Sequence, residues 1–129
     1  MDLGEIGIGI DIEDVNRFRP FIFNKKKSLK RIFTKKELSY CHTKNDPAQH
    51  LAARFCAKEA VYKALSDING PKLSFNEIEI KKQKNGKPEV LLGKNYAIKI
   101  SLSHTSKMAI CVAIASKNAQ LKKVGRKIS

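Results

Sequence analysis

Asp11 closes the apolar run GIGIDI, and Glu59 lies inside RFCAKEAVYKAL, four residues before Lys63. Carboxylates are hard oxygen donors suited to Mg²⁺, an ion that keeps several waters while accepting substrate phosphate oxygens. A lysine beside them adds fixed positive charge where phosphate charge develops. His104 ends the segment SLSH and precedes Thr105 and Ser106, so one short loop offers several further hydrogen-bond donors. Brought together, these residues make a small centre for a divalent metal and phosphates. Each also has a plainer reading. Asp11 can cap the next turn, Glu59 and Lys63 can be an exposed helix-stabilising pair, and His104 can be an exposed histidine. Glu13 and Asp14 are either a second metal ligand or surface acids. The sequence has no Cys-x-x-Cys, no P-loop and no serine nucleophile elbow, and GIGIDI is not a dinucleotide fingerprint because Ile occupies position 12.

The elements that must position these groups are readable from pattern. Residues 6–12 form a strand, followed by a short helix or loop with Asn16, Arg17 and Phe18; Pro20 and FNKKKS break it. KKKSLKR reads as a solvated loop or helix face. Thr34 and Glu37 have capping-box spacing, so a short helix follows. Asp46 is the expected N-cap of the longest helix, with Pro47 at its first position and Gln49 reaching back. Residues 47–66 hold no Gly or Pro, and Leu51, Ala52, Phe55, Cys56, Ala60, Ala64 and Leu65 supply an apolar stripe. Arg54 and Lys58 form a second i, i+4 pair, so the helix is expected to present cations on more than one side. Asn69, Gly70 and Pro71 end it. From Phe75 onward the alternation is that of strands, Asn85-Gly86 signals a hairpin, and residues 108–115 read as a central strand. The order βααβββ predicts an α+β domain, a compact antiparallel sheet packed against a long helix and shorter helices.

The chain has 129 residues, enough for one core and too few for a second catalytic domain, so a site built from surface elements or shared between subunits is favoured. Its formal charge of +14 attracts acidic partners. Cys41, Cys56 and Cys111 are odd in number and widely spaced, which points to buried reduced thiols rather than a disulfide framework or zinc site. The start MDLGEIG shows no secretory pattern and MAICVAIA is too short to span a bilayer, so a cytoplasmic protein is expected. Residues 117–129 form a basic tail, either solvated or a partner-binding arm.

Taken in order, the motifs resemble the holo-[acyl-carrier-protein] synthase family of 4′-phosphopantetheinyl transferases. Gly9, Asp11 and Arg17 match its G-x-D segment and following Arg, and FTKKE at 33–37 matches F-[ST]-x-x-E. LAARFCAKEAVYKAL at 51–65 is similar to the family's LA-x-RF-x-x-KEA-x-x-KAL helix, with GKP at 86–88 and SLSH at 101–104 following in order. The resemblance runs to about residue 115, which makes 1–116 the transferase domain and 117–129 an extension. It implies transfer of 4′-phosphopantetheine from coenzyme A to a serine of apo-acyl carrier protein, releasing adenosine 3′,5′-bisphosphate. It further implies Asp11 and Glu59 as Mg²⁺ ligands, Lys63 and His104 as coenzyme A phosphate contacts, and Glu59, Lys63 and His104 as catalytic residues. The proton acceptor stays open between water, Glu59 and His104. Arg17, then Arg19 and the cluster at 25–27, would meet the acidic carrier protein, and the family's trimers share active sites between subunits. Glu13 and Asp14 depart from the family pattern of an apolar residue followed by Glu. The competing readings are a nucleic-acid-binding module and a structural protein with a decayed site; neither a specific nucleic-acid partner nor a membrane partner is expected.

Overall fold

Gly7 and Gly9 decide how closely the first strand lies on the long helix. A Cβ on Gly7 would sit 2.0 Å from the carbonyl oxygen of Ala64, and one on Gly9 2.1 Å from that of Ala60. Glycine on the strand against alanine on the helix is therefore what lets the two backbones touch. The computed structural model describes residues 5–22, 27–92 and 95–117. The basic tail, apart from Lys117, and Lys25 and Lys26 of the basic cluster lie outside the described residues.

Strand β1 (Gly7–Asp14) passes into a 3₁₀ segment (Val15–Phe21), then α1 (Lys27–Ile32), α2 (Lys35–His42) and the long α3 (Pro47–Asp67). A 3₁₀ turn (Phe75–Glu77) leads to β2 (Glu79–Lys82), β3 (Pro88–Leu91), β4 (Tyr96–His104) and β5 (Met108–Lys117). The α+β expectation holds, but the order is βαααββββ, one helix and one strand more than the expected βααβββ. The strands form two antiparallel sheets, β1-β5-β4 with β5 central as expected, and the hairpin β2-β3. The core lies between α3 and the inner face of the three-stranded sheet, where Ala52, Cys56, Ala60, Val61 and Ala64 are buried with Ala109, Cys111, Ala113 and Ala115. Among the described residues no helix is long and apolar enough to cross a membrane.

Local expectations fared unevenly. The Thr34–Glu37 capping box starts α2, with both reciprocal hydrogen bonds made. At α3, Pro47 takes the first helical turn, but the Asp46 side chain does not cap it; the carboxylate instead accepts from Arg19 at 3.1 Å, and Gln49 donates to the Thr105 carbonyl at 2.7 Å. Long-range partners outcompeted the local cap. The strand expected from Phe75 starts later, because Glu77 reaches back to accept from the Ser74 amide at 2.8 Å and its own amide donates to the Ser74 carbonyl at 3.0 Å, closing the 3₁₀ turn. In the hairpin, Gly86 alone takes positive φ, at 87°, closing a three-residue loop in which Gln83 donates to Lys87 at 2.8 Å.

The second helix pair is corrected outright. Lys58 is fully buried and Arg54 nearly so, so α3 does not display them as surface cations. Lys58 Nζ meets Glu37 Oε1 at 2.8 Å and donates to the carbonyls of Phe75 and Ile78, while Glu37 Oε2 accepts from the Ile80 amide at 2.9 Å. Burial of Lys58 lowers its pKa, and the Glu37 charge pulls the other way.

Candidate functional site

Because β1 alternates, Gly7, Gly9, Asp11 and Glu13 face α3 while Ile8, Ile10, Ile12 and Asp14 face outward. The two glycines bring the strand onto the helix, and the next inward residues are then carboxylates beside Glu59 and Lys63. Lys63 Nζ bridges the elements, donating to Asp11 Oδ1 at 3.2 Å and to the Ile10 carbonyl at 3.0 Å. The second oxygen, Asp11 Oδ2, is buried with no hydrogen-bond partner among the described residues. The Asp11 backbone is held from below by Cys56, whose thiol donates to its carbonyl at 3.1 Å.

Negative charge is concentrated here. Glu13 is pushed up to about 7, first by burial and then by neighbouring Asp11, with Arg17 opposing. Burial raises the Glu59 pKa too, followed by the Asp11 charge, with Lys63 and Arg17 opposing. Arg17 binds Glu13 Oε1 at 2.9 Å and stays 65% exposed. Glu13 is therefore an inward acid of the site. Asp14 is a cap, accepting from the Asn16 amide at 3.0 Å. Among the described residues no group of three or more His, Cys, Asp or Glu side chains is arranged to hold a metal. The case for a cation rests instead on the Asp11 and Glu59 carboxylates, their mutual repulsion and the unpartnered Asp11 oxygen. That donor set suits a hard divalent ion that brings its own waters.

His104 belongs to a second group. It lines a cavity of about 180 Å³ with Tyr40, His50, Arg54, Lys82 and Pro88. The strand register relates the two groups: Glu13 and His104 both pair with Ala109, so they lie in one row across three strands on the same face. Two strand spacings put them roughly 10 Å apart. The cavity is electropositive. Burial raises the Tyr40 phenol, yet Lys82, Arg54 and Lys44 outweigh it and the net shift is downward. Arg54 lies over the Tyr40 ring at 4.1 Å, and its Nε is buried without a hydrogen-bond partner among the described residues. Such a pocket can take an anion with a flat group.

Thus Asp11, Glu59, Lys63 and Arg17 are brought together, and His104 joins them across the sheet rather than by contact. Arg19 is turned elsewhere, donating to Asn16 at 2.8 Å and to Asp46. Sequence reasoning missed Tyr40, His50, Arg54 and Lys82. His50 and Arg54 are one turn apart on α3, a spacing that was available; their convergence with Lys82 depends on the hairpin and was not.

Residues 7–115 match the family model of the 4′-phosphopantetheinyl transferase superfamily. A holo-[acyl-carrier-protein] synthase of Geotalea daltonii is 41% identical over 122 residues, covering 86% of this chain and 98% of the relative. One from Caldanaerobacter subterraneus is 43% identical over 122 residues, covering 86% and 94%. Among solved structures, the Helicobacter pylori holo-[acyl-carrier-protein] synthase in complex with coenzyme A superposes with a TM-score of 0.71 at 33% identity, covering 84% of this chain and 99% of that one. The Bacillus anthracis synthase in complex with coenzyme A (3′,5′-ADP) gives a TM-score of 0.73 at 28% identity, covering 86% and 96%. With the fold, the ordered motifs and the family match in agreement, this chain belongs to the holo-[acyl-carrier-protein] synthase family of 4′-phosphopantetheinyl transferases.

Proposed function

We propose that this chain transfers the 4′-phosphopantetheine group of coenzyme A to a serine of apo-acyl carrier protein. The carrying observation is the pairing of a carboxylate group, Asp11, Glu13 and Glu59 with Lys63, with an electropositive cavity about two strands away. The cavity suits the nucleotide end of coenzyme A, and the span between the groups suits its diphosphate. In the reaction the carrier serine hydroxyl gives up its proton, to water, Glu59 or His104, and its oxygen bonds to the pantetheine-side phosphorus. The bond from that phosphorus to the bridging oxygen breaks, its electron pair stays on the bridging oxygen, and adenosine 3′,5′-bisphosphate leaves.

Asp11 and Glu59 would hold the Mg²⁺, an ion whose chemistry is to offset phosphate charge. Lys63, fixed by the Ile10 carbonyl and Asp11, presents its remaining proton to a phosphate oxygen. His104 hydrogen-bonds a phosphate from the cavity side. Arg54 and Lys82 bind the nucleotide end and orient the scissile bond. The nucleophile comes with the partner, so no serine or cysteine of this chain is required, and buried thiols such as Cys41, raised to about 11, are inert. Arg17, exposed beside Glu13, meets the acidic surface of the carrier protein; Arg19, engaged with Asp46, is the lesser contact. The reaction is assigned to residues 1–116, with 117–129 an appendix. The free thiols suit a reducing cytoplasm.

The assembly we assign is a homotrimer. Its support is the outer face of the three-stranded sheet, where Ile8, Ile10, Ile12, Ile110 and Ile114 are exposed. The function is tested by incubating apo-acyl carrier proteins with the enzyme, coenzyme A and Mg²⁺, then weighing the carrier by mass spectrometry. One added phosphopantetheine, dependent on Mg²⁺, is the expected result. No added mass on several competent carriers sinks the assignment.

A further inference from the structure

His50 is not among the residues that the family motifs mark, yet it stands at the centre of the cavity's charge. Its ring packs edge-on against Tyr40 at 6.0 Å and against His104 at 6.1 Å. The groups facing it are Tyr40 from α2, Lys44 from the segment before α3, Arg54 one turn along α3, Lys82 from β2 and His104 from β4. The charged groups in that ring are cationic, and the buried Arg54 Nε has no hydrogen-bond partner among the described residues. Cations from four elements thus converge on one cavity with His50 between them.

We propose that His50 is a proton-coupled phosphate ligand: the dianionic phosphate monoester of the nucleotide is received by the imidazolium form of His50, so that binding draws a proton from solution. The inference rests on the nucleotide reading of the cavity and adds to it a residue and a pH dependence. The physical chain is short. Burial and then the charges of Arg54, His104, Lys44 and Lys82 depress the His50 pKa, which favours the neutral ring. A phosphate dianion seated among the same cations reverses the local field and raises that pKa. The proton taken up turns a neutral ring into a charge-assisted donor. A phosphodiester offers one negative charge where the monoester offers two, so the device favours the monoester.

The test is isothermal titration calorimetry of adenosine 3′,5′-bisphosphate into the whole protein, in buffers of different ionisation enthalpy and over a range of about pH 6.5 to 8. His50→Phe keeps the aromatic packing with Tyr40 and His104 but cannot titrate; His50→Gln serves if the Phe variant fails to fold. Protons released by the phosphate itself are common to all proteins and cancel in the difference. The wild type is expected to take up about half a proton more than the variant near neutrality, so that its affinity advantage falls about threefold per pH unit as pH rises. Equal proton uptake and parallel pH profiles in wild type and variant overturn the role of His50. Absence of binding by wild type and variants alike, at every pH, overturns the nucleotide reading of the cavity itself.

Discussion

Asp11 is a carboxylate half satisfied, with one oxygen on Lys63 at 3.2 Å and the other buried without a hydrogen-bond partner among the described residues. Leaving a buried polar atom unmet costs about 1–3 kcal/mol, and the charge of Asp11 is also among the causes that raise Glu13 and Glu59. A chain selected only for stability would not keep this arrangement. Neutralising Asp11 should therefore separate stability from activity. Asp11→Asn is expected to leave the metal-free melting temperature unchanged or raise it by a few degrees, about 1 kcal/mol at this chain length. Turnover should fall by about 100-fold or more, the scale seen when one preorganised electrostatic group is lost. Parallel calorimetric melting and carrier-modification assays check both arms. Wild-type turnover in excess Mg²⁺ would show that Asp11 does not serve the metal.

The long helix α3 joins both halves of the site, and what fixes the hairpin to it is the buried pair of Lys58 and Glu37. Lys58 binds the carbonyls of Phe75 and Ile78, and Glu37 binds the amide of Ile80, so the entry to β2 is stitched to α2 and α3. Lys82, on the same short strand, lines the cavity. Lys58→Met leaves Glu37 charged and buried, which is expected to cost about 3–5 kcal/mol. Glu37→Gln with Lys58→Met should cost less than the sum of the single changes, because neither partner is then left as an unpaired charge. Urea unfolding of the four proteins measures this, and strictly additive costs would mean the pair is not coupled. The sequence read α3 correctly in extent because nothing between residues 47 and 66 interrupts it. It misread Lys58 and Arg54 because i, i+4 spacing cannot show that Glu37 and Tyr40 lie across the helix. The Asp11, Glu59 and Lys63 set was legible through motif order, whereas the cavity was not, since its walls come from α2, α3, β2 and β4. The 3₁₀ turn at Phe75 was signalled by S-x-x-E at 74–77, and the competing alternation of FNEIEI hid it.

At the scale of the whole molecule, the three-stranded sheet has one face on α3 and one face that no described element covers. The register stacks Ile8 against Ile114, Ile10 against Val112 and Ile12 against Ile110, and Ile10 is 58% exposed. On β4 the same face turns polar, with Lys99, Ser101 and Ser103 continuing the same three rows, so the apolar patch is bounded. Contiguous apolar surface of this kind on a chain of +14 needs a reason. Like charges oppose self-association, and the opposing term is burial of these isoleucines, each worth about 1.5–3 kcal/mol when fully covered. Closed symmetry would repeat the contact identically in each subunit, so one substitution acts at every interface. Ile10→Glu should therefore convert the proposed trimer to folded monomers, read as a threefold drop in mass by light scattering with an unchanged circular dichroism spectrum. Because β1 carries Ile10 outward and Asp11 inward on adjacent residues, losing the interface also loosens the strand that aims Asp11, and transferase activity should fall with the mass. A wild-type chain that is monomeric and fully active would remove both the trimer and this coupling.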